Sequence, residues 1–270
     1  MMDDPSFPGG SIAVLAAMFL VVLCRVSALI MTAPALGETT SPMVVRAGLA
    51  LATTVMILPV VQDHIMEVSG QALHIPSLAV AIIVGELLCG VFIGSLARLL
   101  AMAFAIAMQI IAVFTGLASV IQPDADLGAG STAISHMASS LIPVIFLMTG
   151  LYVLPLAAIA GSYNLFPPGH MPLVGDMTRS ITEATSQTFA LALQLAAPFV
   201  LIGTLWPAML GVLNRLLPAI QVYSLAMPAQ LLGGVLLLAM LIQVMTSFWQ
   251  QRMSDLLIGL PGIGAGVSRH

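Results

Sequence analysis

The amino-acid sequence predicts an all-α integral membrane protein, and two observations support this fold class. No Asp, Glu, Lys or Arg occurs in three long stretches, residues 127–175, 184–214 and 216–251. The 270-residue chain is also 60% hydrophobic and only 7% charged, with a mean hydropathy of +1.11. Soluble domains carry about 25% charged residues. Because a bilayer core about 30 Å thick needs roughly 20 apolar residues per helix, these stretches are long enough to form membrane-spanning helices.

The apolar segments can be followed in order from the N-terminus. Asp3 and Asp4 stand where a signal peptide has basic residues, so we expect the first segment to be retained. The apolar runs are residues 12–31, 44–61, 75–100, 101–121, 133–160 and 189–249, the last long enough for two helices. Between them, residues 32–42, 62–74, 122–132 and 161–183 are rich in Gly, Pro, Ser or Asp and are predicted to be connectors.

Prolines recur inside the apolar runs, at Pro143, Pro155, Pro198, Pro207, Pro218 and Pro228. A proline removes one backbone hydrogen bond from a helix, and an unsatisfied backbone group in lipid costs several kcal/mol. The pattern predicts kinked and broken helix hairpins that are enclosed by partner proteins or line a water-filled cavity. Ordinary proline kinks are the alternative.

Four charged residues fall within the apolar runs: Arg25, Glu86, Arg98 and Arg215. A charge in the membrane is costly, so each is a candidate for an ion path or for pairing between helices or subunits. On one helix Glu86 and Arg98 would be separated by a rise of roughly 18 Å and a rotation of about 120°, which excludes a pair between them. We expect Glu86 to pair with Arg25 or with an arginine of another subunit. Arg98 and Arg215 have the alternative of extending to the membrane interface.

The composition argues against several functional classes. The seven basic residues are isolated arginines, so nucleic-acid binding is not expected. We find no nucleophile with its base, no phosphate-binding loop and no metal-ligand spacing around Cys24 and Cys89, and therefore predict no catalysis, cofactor or metal. Gly90 and Gly94 form a GxxxG step that predicts close helix packing, as does the small pair of Gly48 and Ala52.

Several stretches together resemble one protein family. They are Arg25-Val-Ser-Ala-Leu-Ile-Met-Thr-Ala-Pro-Ala-Leu-Gly with Pro42 and Arg46-Ala-Gly-Leu-Ala, then Gly85-Glu-Leu-Leu-Cys-Gly-Val-Phe-Ile-Gly, residues 116–123, and Gly211-Val-Leu-Asn-Arg-Leu-Leu-Pro. The sequence is similar to the FliR family of flagellar biosynthetic proteins, the export-gate subunits of type III secretion. The resemblance covers nearly the whole chain.

The resemblance implies an architecture and a set of partners. One copy of the chain would join several copies of FliP and FliQ around a protein-conducting pore, with FlhB and FlhA beside it. The assembly would lie in the bacterial inner membrane, in contact with lipid, at the flagellar basal body. It would pass unfolded exported proteins without catalysing a reaction. Within one membrane domain, residues 1–183 would be FliP-like, 184–250 a FliQ-like hairpin and 251–270 a flexible tail.

The resemblance also implies a plug that closes the pore. The corresponding residues are Phe114, Gly116, Ile121, Gln122, Pro123, Asp124 and Asp126. Phe114 and Ile121 would be the apolar stoppers, and the acids would be solvated or paired with partners. Two alternatives remain open from the sequence: the equivalent subunit of a virulence injectisome, and a small-molecule or ion transporter that works alone as a monomer or homodimer.

Overall fold

The computed structural model describes residues 12–38, 41–120, 133–169, 174–216 and 222–263, and these are predominantly helical with no strand among them. The helices are α1 (Ile12–Thr32), α2 (Met43–Ala72), α3 (Pro76–Ala101), α4 (Ala103–Phe114), α5 (Leu117–Val120), α6 (Ala133–Thr149), α7 (Val153–Leu165), α8 (Val174–Leu216) and α9 (Val222–Ile258). The prediction of an all-α fold is confirmed.

Five of the described helical segments are long and apolar enough to cross a membrane. They are Ile12–Thr32, Met43–Ala72, Pro76–Phe114, Gly175–Leu216 and Ala226–Ile258. Together α6 and α7 would make a sixth crossing, but they are bent by 73° at the break between them. The protein is therefore a helical integral membrane protein, as its composition predicts.

Two predicted connectors are partly wrong. Residues 62–74 are helical as far as Ala72, because this part of α2 buries Val61, Ile65 and Ser69 on one face while its acidic residues, its histidine and its glutamines are exposed. That spacing of four residues is the pattern of an amphipathic helix. The connector predicted at 161–183 likewise contains the end of α7 and the first turns of α8. Counting only continuous apolar runs misses such amphipathic extensions.

The prolines do not end the helices in which they lie. Pro59, Pro143, Pro198, Pro207 and Pro228 are all inside helices that continue on both sides, and Pro155 lies in the first turn of α7, where a missing N–H is tolerated. Pro218 lies outside the described residues. A broken helix pair is present where α6 meets α7, but the prediction that these prolines end helices is wrong, because each removes only one hydrogen bond of a long ladder.

Glycines mark two of the turns between helices instead. Gly116 follows α4 with a φ of 80°, and Gly150 follows α6 with a φ of 75°. A residue with a Cβ rarely adopts this left-handed conformation, whereas glycine adopts it readily. The chain therefore leaves the helix at these glycines and not at the prolines.

The chain divides into two compact units. Unit 1 comprises Met1–Leu100, Pro143–Ala184 and Asp255–His270, and unit 2 comprises Ala101–Ile142 and Thr185–Ser254. The core of unit 1 includes Val22, Leu29 and Tyr163, and the core of unit 2 includes Phe104 and Trp249. The boundary between a FliP-like part, residues 1–183, and a FliQ-like hairpin, residues 184–250, stays a prediction. Within the predicted tail, α9 continues to Ile258.

We expect Gly150→Ala to destabilise the protein by about 1–2 kcal/mol, because alanine is strained in the left-handed conformation. Gly70→Ala in α2 is the matched control, since a Cβ there would meet nothing within 4 Å and alanine favours the helix. Thermal stability of the detergent-solubilised protein measures both changes. Equal stability of the two variants would contradict this account of the turn.

Candidate functional site

A buried ion pair lies in unit 1 between Arg25 of α1 and Glu86 of α3. Arg25 Nε donates to Glu86 Oε2 at 2.7 Å, and Arg25 Nη2 donates to Glu86 Oε1 at 2.8 Å. Each residue is only 1% exposed. Two parallel hydrogen bonds between a guanidinium and a carboxylate give the strongest form of such a pair and fix its orientation. The two charges therefore neutralise each other inside a single chain.

The remaining groups of the guanidinium are satisfied by α7 and the residue that follows it. Arg25 Nη1 donates to Ser162 Oγ at 2.9 Å, and Nη2 also donates to the carbonyl oxygen of Phe166 at 2.9 Å. The ring of Tyr163 lies 3.8 Å from the guanidinium carbon, and its hydroxyl makes a long hydrogen bond of 3.4 Å to Glu86 Oε2. We call these five residues the ionic cluster.

Two glycines bring α1 and α3 close enough for this pair. A Cβ added at Gly90 would overlap the carbonyl of Arg25 and stand 2.7 Å from Ala28 Cβ. A Cβ at Gly94 would overlap the hydroxyl of Thr32. Gly90 follows Glu86 by one helical turn and so shares its face of α3. The GxxxG step is thus the surface on which α3 meets α1. Gly48, in contrast, is exposed with nothing within 4 Å.

The structure places the other two arginines outside the ionic cluster. Arg98 lies in the last turn of α3, where a positive charge suits the helix dipole, and its Nη2 is 3.8 Å from Glu38 Oε1. Both side chains of that pair are partly exposed, so it contributes little stability. Arg215 is exposed in the last turn of α8.

The predicted plug is described only at its beginning, in unit 2. Phe114 is the last residue of α4, and both Phe114 and Gly116 are half-buried. Phe114 accepts a hydrogen bond of 3.3 Å from Gln230 Nε2 through its carbonyl oxygen. The other predicted plug residues, Ile121, Gln122, Pro123, Asp124 and Asp126, lie outside the described residues.

An apolar cavity of about 300 Å³ borders this segment within unit 2. It is lined by residues of α4, α8 and α9 that include Phe114, Phe199, Trp206, Gln230 and Leu237. None of its lining residues titrates in the physiological range. The cavity therefore provides a packing surface and no group for acid–base chemistry.

Sequence reasoning missed the residues of α7 that complete the ionic cluster. Ser162 and Tyr163 are polar residues just after the apolar run 133–160, and that position was the available signal. Which helix they would face was not readable from spacing. Across the described part of the chain, no group of three or more His, Cys, Asp and Glu side chains could hold a metal ion.

Comparisons with known proteins agree on one family. A family model described as bacterial export proteins, family 1, matches residues 16–256. Flagellar biosynthetic protein FliR of Caulobacter vibrioides is 30% identical over 236 residues, which cover 87% of this chain and 92% of that protein. FliR of Escherichia coli is 26% identical over 234 residues, with 87% of each chain covered. FliR of Aquifex aeolicus is 24% identical over 234 residues, covering 86% of this chain and 87% of that protein.

We expect Glu86→Gln to destabilise the protein by about 3–5 kcal/mol, because it leaves the buried Arg25 without a countercharge. Arg25→Leu combined with Glu86→Leu should cost less than Glu86→Gln alone, since no charge remains buried. Arg98→Gln is the control and should change stability by less than about 1 kcal/mol. The measurement is thermal stability in detergent together with the amount of protein in the membrane. A double variant less stable than the single one would contradict the pairing.

Proposed function

The chain belongs to the bacterial export proteins of family 1, with FliR proteins among its relatives, and on this premise we propose that it helps to form and plug the protein-conducting pore of the flagellar export apparatus. It is a helical integral membrane component of the flagellar type III export apparatus. Its family is one of secretion components and not of enzymes. The finer role, pore formation with FliP and FliQ, is the proposal.

The observation that carries the proposal is the length of exposed apolar surface on α8. Exposed hydrophobic side chains extend along this helix from Ile181 to Leu216. That separation corresponds to roughly 50 Å along the helix axis. The hydrocarbon core of a bilayer is only about 30 Å thick. A straight helix would need a tilt of more than about 50° to immerse this surface, whereas tilts normally stay within about 40°.

The same argument applies to α9. Its exposed hydrophobic residues extend from Met227 to Ile258, roughly 45 Å along the axis. Only 6% of the most apolar window of this helix is buried within the chain. Lipid covers a band of such a surface, and the remainder requires contact with other proteins. This requirement supports a hetero-oligomer over a protein that works alone.

We infer that FliP and FliQ homologues supply this cover and that one copy of the present chain enters the complex. In this arrangement residues 1–183 are the FliP-like part, and α8 and α9 provide the FliQ-like hairpin, residues 184–250. FlhB and FlhA homologues lie beside the complex in the bacterial inner membrane. Arg215 is exposed and Arg98 is partly exposed beside Glu38, so both can meet partner subunits or lipid headgroups, whereas Arg25 and Glu86 hold helices together within the chain.

The proposed plug is the segment that begins at Phe114 and includes Gly116, Ile121, Gln122, Pro123, Asp124 and Asp126. Its support from the structure is local. The apolar segment Pro76–Phe114 ends at the first plug residue, and the positive φ of Gly116 turns the chain out of the helix. Unfolded proteins would pass only when this segment leaves the pore.

The competing functions fit less well. The relatives described above are flagellar proteins, which favours flagellar export over a virulence injectisome. A proton-driven transporter needs an acid that can gain and lose a proton along a path. Glu86 is held by two hydrogen bonds from Arg25 and is buried, so it is poorly placed for that task.

Co-expression with FliP and FliQ homologues tests the proposed assembly. We expect native mass spectrometry of the complex in mild detergent to give a mixed complex with one copy of this chain. The physical reason is the uncovered apolar surface of α8 and α9. Purification of each protein separately is the control. A lone monomer or a homo-oligomer of this chain in the co-expressed sample would contradict the assembly.

Deletion of residues 121–126 tests the plug. We expect the complex to keep its subunit composition while the membrane becomes permeable to small solutes, because Phe114 and Gly116 alone would not fill the closed pore. The measurement is uptake of a membrane-impermeant dye by cells that produce the complex. A variant of the same length with residues 121–126 replaced by Gly and Ser separates loss of the stopper Ile121 from loss of chain length. An intact complex without leakage after the deletion would contradict a plug in this segment.

A further inference from the structure

Two glycines of unit 2 lie directly against the end of α4. A Cβ added at Gly203 of α8 would stand 2.6 Å from the carbonyl oxygen of Phe114 and 2.7 Å from its Cβ. A Cβ added at Gly234 of α9 would stand 2.7 Å from Thr115 Cβ and 2.9 Å from its Cγ2. Non-bonded carbon atoms normally stay about 3.5–4.0 Å apart. Neither glycine can be replaced unless the end of α4 or the helix that carries the glycine moves.

The atoms that these glycines contact are themselves held in place. The Phe114 carbonyl accepts a hydrogen bond from Gln230 Nε2 of α9. Thr115 is only 5% exposed, and its hydroxyl donates to the carbonyl of Ile111 at 2.8 Å, which fixes the direction of its methyl group. The end of α4 is thus held by one contact from α8, at Gly203, and by two from α9, at Gln230 and Gly234. Moving Phe114 or Thr115 away from an added methyl group would therefore disturb other packed atoms and cost free energy.

Gly116 contributes in a different way. Its φ of 80° requires glycine, but a Cβ there would meet Leu231 and Gln230 only at ordinary contact distances of 3.7 and 3.8 Å. Gly203 and Gly234 are needed for space, and Gly116 is needed for the turn. The three glycines act on three consecutive residues, at the point where the chain leaves α4.

Other glycines on the same two helices show that close packing is not general there. Gly211 of α8 and Gly233 of α9 have nothing within 4 Å of an added Cβ. Glycine inside a helix costs about 1 kcal/mol relative to alanine. Gly203 and Gly234 therefore differ from Gly211 and Gly233 in their close contacts with Phe114 and Thr115.

We propose that Gly203 and Gly234 form a glycine clamp that sets the position from which the plug begins, and that they are positioning residues for pore closure. This inference rests on the proposed function. An added methyl group would change the separation between the last turn of α4 and α8 or α9 by about 1 Å, the difference between the contacts at these glycines and normal carbon separations. The change alters the position of Phe114, the first predicted stopper, relative to α8 and α9.

The test uses Gly203→Ala and Gly234→Ala in the complex with FliP and FliQ homologues. We expect the mass of the complex to stay the same while dye uptake rises about tenfold, the effect of roughly 1.4 kcal/mol on the equilibrium between open and closed pores. Gly211→Ala and Gly233→Ala are matched controls on the same helices and should not leak. Because Gly233 and Gly234 are adjacent, this pair differs only in the surface that the methyl group meets.

A second substitution separates the clamp from a general loss of stability. Thr115→Gly removes the Cβ and Cγ2 that an alanine at 234 would meet, so it should restore closure to Gly234→Ala. It should not restore closure to Gly203→Ala, which meets the backbone carbonyl of Phe114. If Gly203→Ala does not accumulate, the Gly234→Ala series with its rescue still decides the question.

The outcomes distinguish the clamp from the plug. Leakage in the deletion of residues 121–126 together with tight Gly203→Ala and Gly234→Ala complexes would overturn the clamp and leave the proposed function intact. Leakage of the control variants at the same level, or equal rescue of both clamp variants by Thr115→Gly, would also overturn the clamp. No leakage in the deletion variant would overturn the plug itself, and the clamp with it.

Discussion

A charge inside a membrane must be neutralised by the protein itself, and the arrangement of unit 1 depends on this constraint. A single arginine at the centre of a membrane helix costs about 2.5–3.5 kcal/mol or more, depending on the scale. Arg25 is matched by the carboxylate of Glu86, by the hydroxyl of Ser162 and by the carbonyl of Phe166. Arg25 and these partners together belong to three separate regions of the chain. Satisfying one guanidinium therefore holds α1, α3 and α7 together.

Small residues determine where helices meet in both units. In unit 1, Gly90 and Gly94 let α3 reach α1, and without that approach Glu86 would not contact Arg25. In unit 2, Gly203 and Gly234 let α8 and α9 reach the end of α4. Because lipid is as apolar as a leucine side chain, burial alone does not drive helices together in a bilayer. Close backbone contact and directed hydrogen bonds supply the specificity.

The exposed apolar surface of α8 and α9 relates the structure to the proposed function. The buried charges of the ionic cluster are paired within the chain. The long helices α8 and α9 expose apolar side chains over a greater length than the hydrocarbon core of a bilayer. In the proposed assembly, partner subunits would cover the part of this surface that lipid leaves uncovered. Turns at Gly116 and Gly150 let the chain leave a helix at its end, so the backbone hydrogen bonds inside the helix stay intact.

The sequence by itself determined the all-α membrane class, the approximate spans and the pairing candidates Arg25 and Glu86. Hydropathy, and a charge standing alone in an apolar run, can both be read from a short stretch of sequence. It placed the helix breaks at prolines and ended α2 too early, since a helix ladder survives one missing bond and an amphipathic extension contains no apolar run. The tertiary structure decided that Ser162 and Tyr163 complete the ionic cluster and that Gly234 differs from Gly233. Those facts depend on which residue lies across from another after helices distant in sequence have packed together.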